Sequence, residues 1–401
     1  MSCRRGGFGV VLARARGRVP VSALRRVLAF SVTVCALGLG PVSVSWGDVN
    51  QHAAIVINGN DPTESFAKCE CATGSGTKTD PYVIGPWAIT SENSTSGAAV
   101  AVENVTADFT ITGISANYTD TDHPSHAVIY LSNVHPTDSA MVSNVSANED
   151  GTGVEIDSSS NITLSSVSVN KMNGTGLRIL DSNHITSING KYKATHDELA
   201  AASHNADGLY AAGSDHLQIG GVPGCPSKGI CNTFDYDSGW GIYLGPDPKT
   251  GQPTSVVTID NASANADDTG GYILDGTSGV TLENSTAEAG GPICISLNGG
   301  KEPSGYSDTG LLGNLVLFNG ASGNTIENDT FSGYETGVGY DIAEAPNPFY
   351  NSPCGGRPIQ TSSGSVSGVN DFVQNTICYT TSFVPTSVPP LPPLPRSDCK
   401  S

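Results

Sequence analysis

The residues best suited to chemistry in this 401-residue chain occupy matching positions of a short repeated strand. In Gly151-Thr-Gly-Val-Glu-Ile-Asp, Val154 and Ile156 alternate with Glu155, so a strand that buries the two aliphatics turns Glu155 outward. The same alternation turns out Arg178, Tyr210 and Tyr243 in the strands that follow, with Trp240 beside them. Aromatic side chains spaced along a groove suit sugar rings, whose C–H faces bury against them while the hydroxyls stay wet. A guanidinium in the same row can grip a uronate carboxylate with two parallel hydrogen bonds. The plainer alternative is that Tyr favours strands and that two outward tyrosines pair only with each other.

A second constellation surrounds residues 193–206, which interrupt the strand rhythm. Lys191, Lys193, His204, Asp207 and His216 gather there, and Lys171, Arg178, Lys191 and Lys193 concentrate scarce positive charge in an acidic chain. Two reactions fit these residue types. A polysaccharide lyase or epimerase needs a base for the proton α to a uronate carboxylate and a cation to neutralise that carboxylate, for which Arg178, Lys191 and His204 are the candidates. A glycoside hydrolase needs paired carboxylates, for which Asp207, Asp235 and Asp237 are the candidates. Whether the chain catalyses either is left open.

The elements that must position these groups are legible in the repeat. Gly151-Thr-Gly-Val-Glu-Ile-Asp returns 23 residues later as Gly174-Thr-Gly-Leu-Arg-Ile-Leu. Asp207-Gly-Leu-Tyr, Gly239-Trp-Gly-Ile-Tyr-Leu and Gly270-Gly-Tyr-Ile-Leu continue the series, and a second short strand such as Ile162-Thr-Leu or Val257-Thr-Ile follows each. Strands this short make no stable sheet alone, but stacking equivalent strands from successive coils covers each with the next. Gly, Ser, Asn and Thr supply the corners. The expected fold is all-β, a single-stranded right-handed parallel β-helix of about eight or nine coils. Its expected layout is an N-terminal cap over 46–97, the β-helix over 98–383 and a Pro-rich tail over 384–401.

Ser160-Asn-Ile-Thr-Leu-Ser-Ser-Val-Ser-Val-Asn and Asp237-Ser-Gly-Trp-Gly-Ile-Tyr-Leu resemble coils of the pectin-lyase-like superfamily, especially its NosD-like members. Gly74-Ser-Gly-Thr-Lys-Thr-Asp-Pro-Tyr-Val-Ile resembles the capping segment of such helices, and the resemblance spans residues 74–383. It implies the right-handed parallel β-helix and little about activity, since that superfamily hosts lyases, hydrolases, epimerases, adhesins and non-enzymes. Asn205-Ala-Asp207-Gly resembles the Asn-Thr-Asp-Gly motif of polygalacturonases, with Asp235-Tyr-Asp237 where that family has adjacent aspartates. The Gly-His-Gly and Arg-Ile-Lys motifs of that family are missing from this sequence.

Residues 1–45 read as a secretory signal: seven arginines and no acid, an apolar run from Val27 to Gly40, then Ser43-Val44-Ser45. Its removal leaves 12 Lys and Arg against 38 Asp and Glu, a net charge of −26. Such a surface does not bind nucleic acid through phosphates, and no later stretch is apolar enough to span a membrane. Calcium is permitted by this charge, but no repeated Asp-Gly loop supports it, and no metal site or cofactor is expected. Eight cysteines remain after the signal, with Cys225 and Cys231 spaced to close one loop as a disulfide. The expectation is therefore a secreted, periplasmic or cell-surface monomer that engages an acidic polysaccharide. Its rival is a non-catalytic structural or adhesive rod.

Overall fold

A computed structural model describes residues 50–90, 97–117, 127–148, 151–194, 207–221, 225, 230–237, 239–265, 267, 270–288, 313–318, 321–327, 329–332, 340–344, 364–366, 370–373 and 376–378. Residues 1–45, expected to be a signal, the 195–206 insertion with His204, and the Pro-rich stretch 384–401 lie outside the described residues. The chain divides into Met1–Gly47 and Asp48–Ser401, and the described residues all belong to the second unit.

One coil shows the plan. Thr152–Asp157 lies in a first sheet, Ser160–Ser165 in a second and Ser168–Met172 in a third; Leu177–Leu180 then re-enters the first. Each strand pairs in parallel with its equivalents in the preceding and following coils, giving sheets of ten, twelve and eleven strands. This is an all-β, right-handed parallel β-helix, the hand that parallel crossovers take. It has more rungs than the eight or nine coils counted from the repeat. Ile55–Asn58, Tyr82–Ile84 and Trp87–Ile89 already stack in parallel on later strands, and Asn370–Val373 and Thr376–Cys378 extend the far end. Antiparallel pairs close both ends of the second sheet. With strands about 4.8 Å apart, ten rungs span roughly 45 Å.

The interior is built from register. Val154 stacks on Leu177, Ile156 on Ile179, and Ile162, Ile185, Leu217, Val257 and Val280 form one column, all buried. On the third sheet the column turns aromatic. Tyr192 and Phe234 stack with centroids 5.3 Å apart, both fully buried. The Tyr192 hydroxyl lies 3.0 Å from the Ser187 hydroxyl, which donates to Asn232 Oδ1 at 3.3 Å, and Asn232 Nδ2 donates to the Ser187 carbonyl at 2.8 Å. Burial pushes the Tyr192 phenol far above its ordinary pKa, so it stays a neutral partner. Tyr192→Ala should cost about 3–5 kcal/mol, because it opens a cavity and strands part of this network; chemical denaturation against wild type measures it.

The corners explain the Ser, Thr and Asn richness. Val134 N–H donates to the Ser159 hydroxyl, Ser159 N–H to Ser182, and Ser182 N–H to Ser214, each one coil further on at 3.0–3.1 Å. A column of side-chain oxygens thus satisfies amides that the turn removes from the sheets. Where the coil re-enters the first sheet, a Cβ on Gly208 or Gly241 would strike the next coil's carbonyl and a buried aspartate, so only glycine fits this close approach. The same approach to the next coil's carbonyl holds at Gly153 and Gly176, which accounts for the glycine that recurs on these four coils. Cys225 and Cys231 are disulfide-bonded, as their spacing suggests, and Cys69 and Cys71 form a second pair. Among the described residues no helix is long and apolar enough to cross a membrane.

Candidate functional site

The outer face of the first sheet carries one row of chemistry-bearing side chains. Tyr130 pairs with Glu155, Glu155 with Arg178, Arg178 with Tyr210 and Tyr210 with Tyr243, on five consecutive rungs. Arg178 Nη1 lies 4.0 Å from Glu155 Oε2, an ion pair at its outer limit. The same guanidinium sits 5.9 Å from the centroid of the Tyr210 ring, which stacks on Tyr243 at 5.2 Å. The Tyr243 hydroxyl donates to Asp275 Oδ2 at 2.6 Å.

The row has a wet end and a dry end. Tyr130 is half-buried, and the Arg178 side chain keeps 32% of its surface exposed against 13% for Glu155. Tyr210 and Tyr243 are each only 8% exposed and form an outer apolar cluster with Ala212, Trp240 and Ile273. Burial dominates the electrostatics. It raises the Glu155 carboxyl above the usual carboxylate range, with Arg178 opposing. It raises the Tyr210 phenol, again against Arg178, and lifts Tyr243 far above its ordinary pKa together with the Asp275 charge. Outward pointing therefore does not mean open: the two tyrosines stack on each other, and Tyr210 also lies against Arg178.

The other candidates lie elsewhere. Lys191 and Lys193 are on the third sheet, where Lys193 Nζ sits 4.7 Å from the centroid of Tyr236. Asp235 shares that face; its carboxylate accepts the Asn265 N–H at 2.8 Å, and burial raises its pKa. Asp207 is fully buried at the corner leading into the first sheet, where Oδ1 accepts the Trp240 N–H at 2.7 Å. Asp237 is equally buried and its N–H donates to Asp267 Oδ1 at 2.9 Å. His216 belongs to the second sheet. The structure thus brings Glu155, Arg178, Tyr210, Tyr243 and Trp240 together and places Lys191 and Asp235 on another face.

Tyr130 and Asp275 join the row without having been singled out from sequence. Tyr130 was signalled by Val128-Ile-Tyr-Leu, whose alternation matches that around Glu155. Asp275 follows Ile273 by two residues on the same strand, on the outward parity. Among the described residues no group of three or more His, Cys, Asp or Glu side chains is arranged to hold a metal ion.

No family model matches the chain, and no curated protein matches it. Among solved structures it is similar to the enzymatically active domain of bacteriophage CBA120 tailspike protein 2, with a TM-score of 0.45 and 12% identity over 74% of this chain. The aligned region spans 42% of that tailspike domain. It is also similar to the A-module of the mannuronan C-5 epimerase AlgE4 of Azotobacter vinelandii, with a TM-score of 0.43 and 12% identity over 73% of this chain and 76% of that one. A third is PfbA, a surface adhesin of Streptococcus pneumoniae, with a TM-score of 0.33 and 10% identity over 65% of this chain and 78% of that one. These likenesses concern the course of the chain and leave the site to be read from its own residues.

Proposed function

We propose that this protein is an exported β-helix that engages an extracellular acidic polysaccharide along the outer face of the first sheet. The observation that carries this reading is the row Tyr130–Glu155–Arg178–Tyr210–Tyr243, in which one accessible guanidinium stands on a strongly acidic protein. An anionic polymer is repelled by such a surface except where a cation receives its carboxylate. Arg178 is that cation; Tyr130 offers a half-open ring on one side, and the packed Tyr210–Tyr243 stack forms a wall on the other.

If the protein also reacts with its ligand, lyase or epimerase chemistry suits this face. Arg178 would neutralise the uronate carboxylate, which makes the neighbouring C–H more acidic. Tyr210, one rung away, would be the candidate phenol to move a proton, with Arg178 favouring its ionised form against burial. Incubating the protein with polyuronates and neutral glycans separates the readings. Ultraviolet absorbance reports unsaturated lyase products, proton exchange into the sugar reports epimerisation, and new reducing ends without absorbance report hydrolysis. Retention on a polyuronate without turnover leaves a binding rod. The burial of Tyr210, Tyr243 and Trp240 favours a second reading, a structural rod, which predicts no retention on any glycan.

Glu155 gives a further test. Its carboxylate competes with a bound anion for Arg178, and burial raises its pKa, so it takes up a proton at higher pH than an ordinary carboxylate. Retention of oligouronates should therefore strengthen as pH falls from neutral toward the ordinary carboxylate range, beginning above it. Glu155→Gln should bind several-fold more tightly at neutral pH and lose that dependence; titration calorimetry across that pH range reads both effects.

A further inference from the structure

We infer that His184 and His216, on the corner leading into the second sheet, form a two-histidine site for a borderline divalent transition-metal ion of the nickel, copper and zinc class. The fold places them on one column. Asn183 pairs with Asp215 and Ile185 with Leu217 on adjacent strands, so the two histidines occupy equivalent positions one rung apart. Both have left-handed backbones, φ 54° and 51°, and both rings are exposed. Because the backbone repeats, the rings leave it in the same direction, with centroids 4.7 Å apart and planes within 8°.

Each ring has a side-chain oxygen close to its Nδ1. His184 Nδ1 lies 2.9 Å from Asn183 Oδ1, and His216 Nδ1 lies 3.4 Å from Asp215 Oδ1. Asn183 is a hydrogen-bond partner of His184 Nδ1, whereas Asp215 makes a charge contact with His216 Nδ1 that a small rotation of either side chain turns into a hydrogen bond. A proton held there leaves Nε2 with its lone pair, and a carboxylate or amide oxygen on the far nitrogen is the usual support of a metal-bound imidazole. The two rings, stacked on neighbouring rungs, then each carry an Nε2 lone pair in near-parallel planes. Metal–nitrogen bonds of about 2.0–2.1 Å need the two nitrogens closer than the ring spacing, and small rotations of two exposed side chains supply that convergence, water completing the coordination. Imidazole selects this class of ion over calcium and magnesium, which prefer oxygen. Asp215 beside the pair adds negative charge that favours a bound cation.

The test is calorimetric titration of the full chain with Zn2+ and, separately, Ni2+, in excess Ca2+ to mask non-specific acidic binding. His184→Asn and His216→Asn are suited to it, because Asn161 already occupies the same corner with φ 57° one rung away, so the turn is kept. The expected result is one saturable ion per chain, lost in each Asn variant while circular dichroism and melting stay unchanged. Asp215→Asn should weaken binding by about tenfold or more, as loss of a supporting carboxylate does. Absence of saturable binding of either ion overturns the inference. So does binding that survives both His variants, since the ion would then sit elsewhere in the chain.

Discussion

Arg178→Ala is expected to weaken oligouronate binding at least about thirtyfold, while the melting temperature moves little. Charge-assisted bidentate contacts to a carboxylate are among the strong polar interactions, and removing a partly desolvated cation from such a contact costs about 2 kcal/mol or more. Arg178 qualifies because about a third of its side chain remains open and its flanks are the half-buried Glu155 and the Tyr210 ring. Its stabilising role within the chain is small: an ion pair at its 4.0 Å outer limit, with the guanidinium about a third open to water, contributes about 1 kcal/mol. Arg178→Lys separates geometry from charge. A lysine keeps the charge but lacks the planar fork, so it should recover only part of the affinity. Equal binding by wild type and Arg178→Ala in a calorimetric titration would place the anion site on another face, the lysine-bearing third sheet being the first to examine.

The second large effect concerns stability and pH. Among the oxygens that accept corner amides, Ser285 receives Ala262 N–H, and Asp329 Oδ1 receives Ser285 N–H at 2.7 Å in the next coil. Burial pushes the Asp329 carboxyl up to about 8, against the favourable amide contacts of Ser285 and Glu327. The folded chain therefore keeps this proton at neutral pH, whereas the unfolded chain releases it near 3.8. The folded pKa being the higher, the group's stability contribution is intact below pH ~4 and declines as pH rises toward ~8, by about 1.4 kcal/mol for each pH unit. Asp329→Asn keeps the oxygen that receives Ser285 N–H and carries no proton to lose. It should match wild type near pH ~4 and exceed it by up to about 4 kcal/mol at pH 7. Denaturation curves at the two pH values decide it, and parallel pH profiles for the two proteins would contradict the assignment.

Much of the scaffold was legible because a β-helix repeats its physics. Val154 and Ile156 inside force Glu155 outside, and the same two-residue period carries the row through Arg178, Tyr210 and Tyr243, where the register aligns them. What the period does not reveal is which of three faces a residue occupies. Arg178 and Lys191 are 13 residues apart and share scarce positive charge, yet the chain turns two corners between them, onto the second sheet and then the third. Nor does it reveal cover: Tyr210 and Tyr243 point out and are nevertheless almost closed by packing on one another and on Trp240. Asp207 precedes a glycine in a pattern that suits a catalytic carboxylate, and its oxygen is used to hold the Trp240 amide at a corner where glycine alone fits. The stacked pair His184 and His216 lies 32 residues apart in sequence and becomes one feature only through rung pairing.

The central claim is that an acidic glycan lies on the outer face of the first sheet, and hydrogen exchange with and without a saturating oligouronate tests it most directly. The account predicts slowed exchange confined to Ala127–Val134, Thr152–Asp157 and Leu177–Leu180, the strands that carry Tyr130, Glu155 and Arg178. The Arg178→Ala protein under the same conditions should show none of it. Protection centred instead on Lys191–Ala194 and Asn232–Thr233, or no protection at all, would contradict the account.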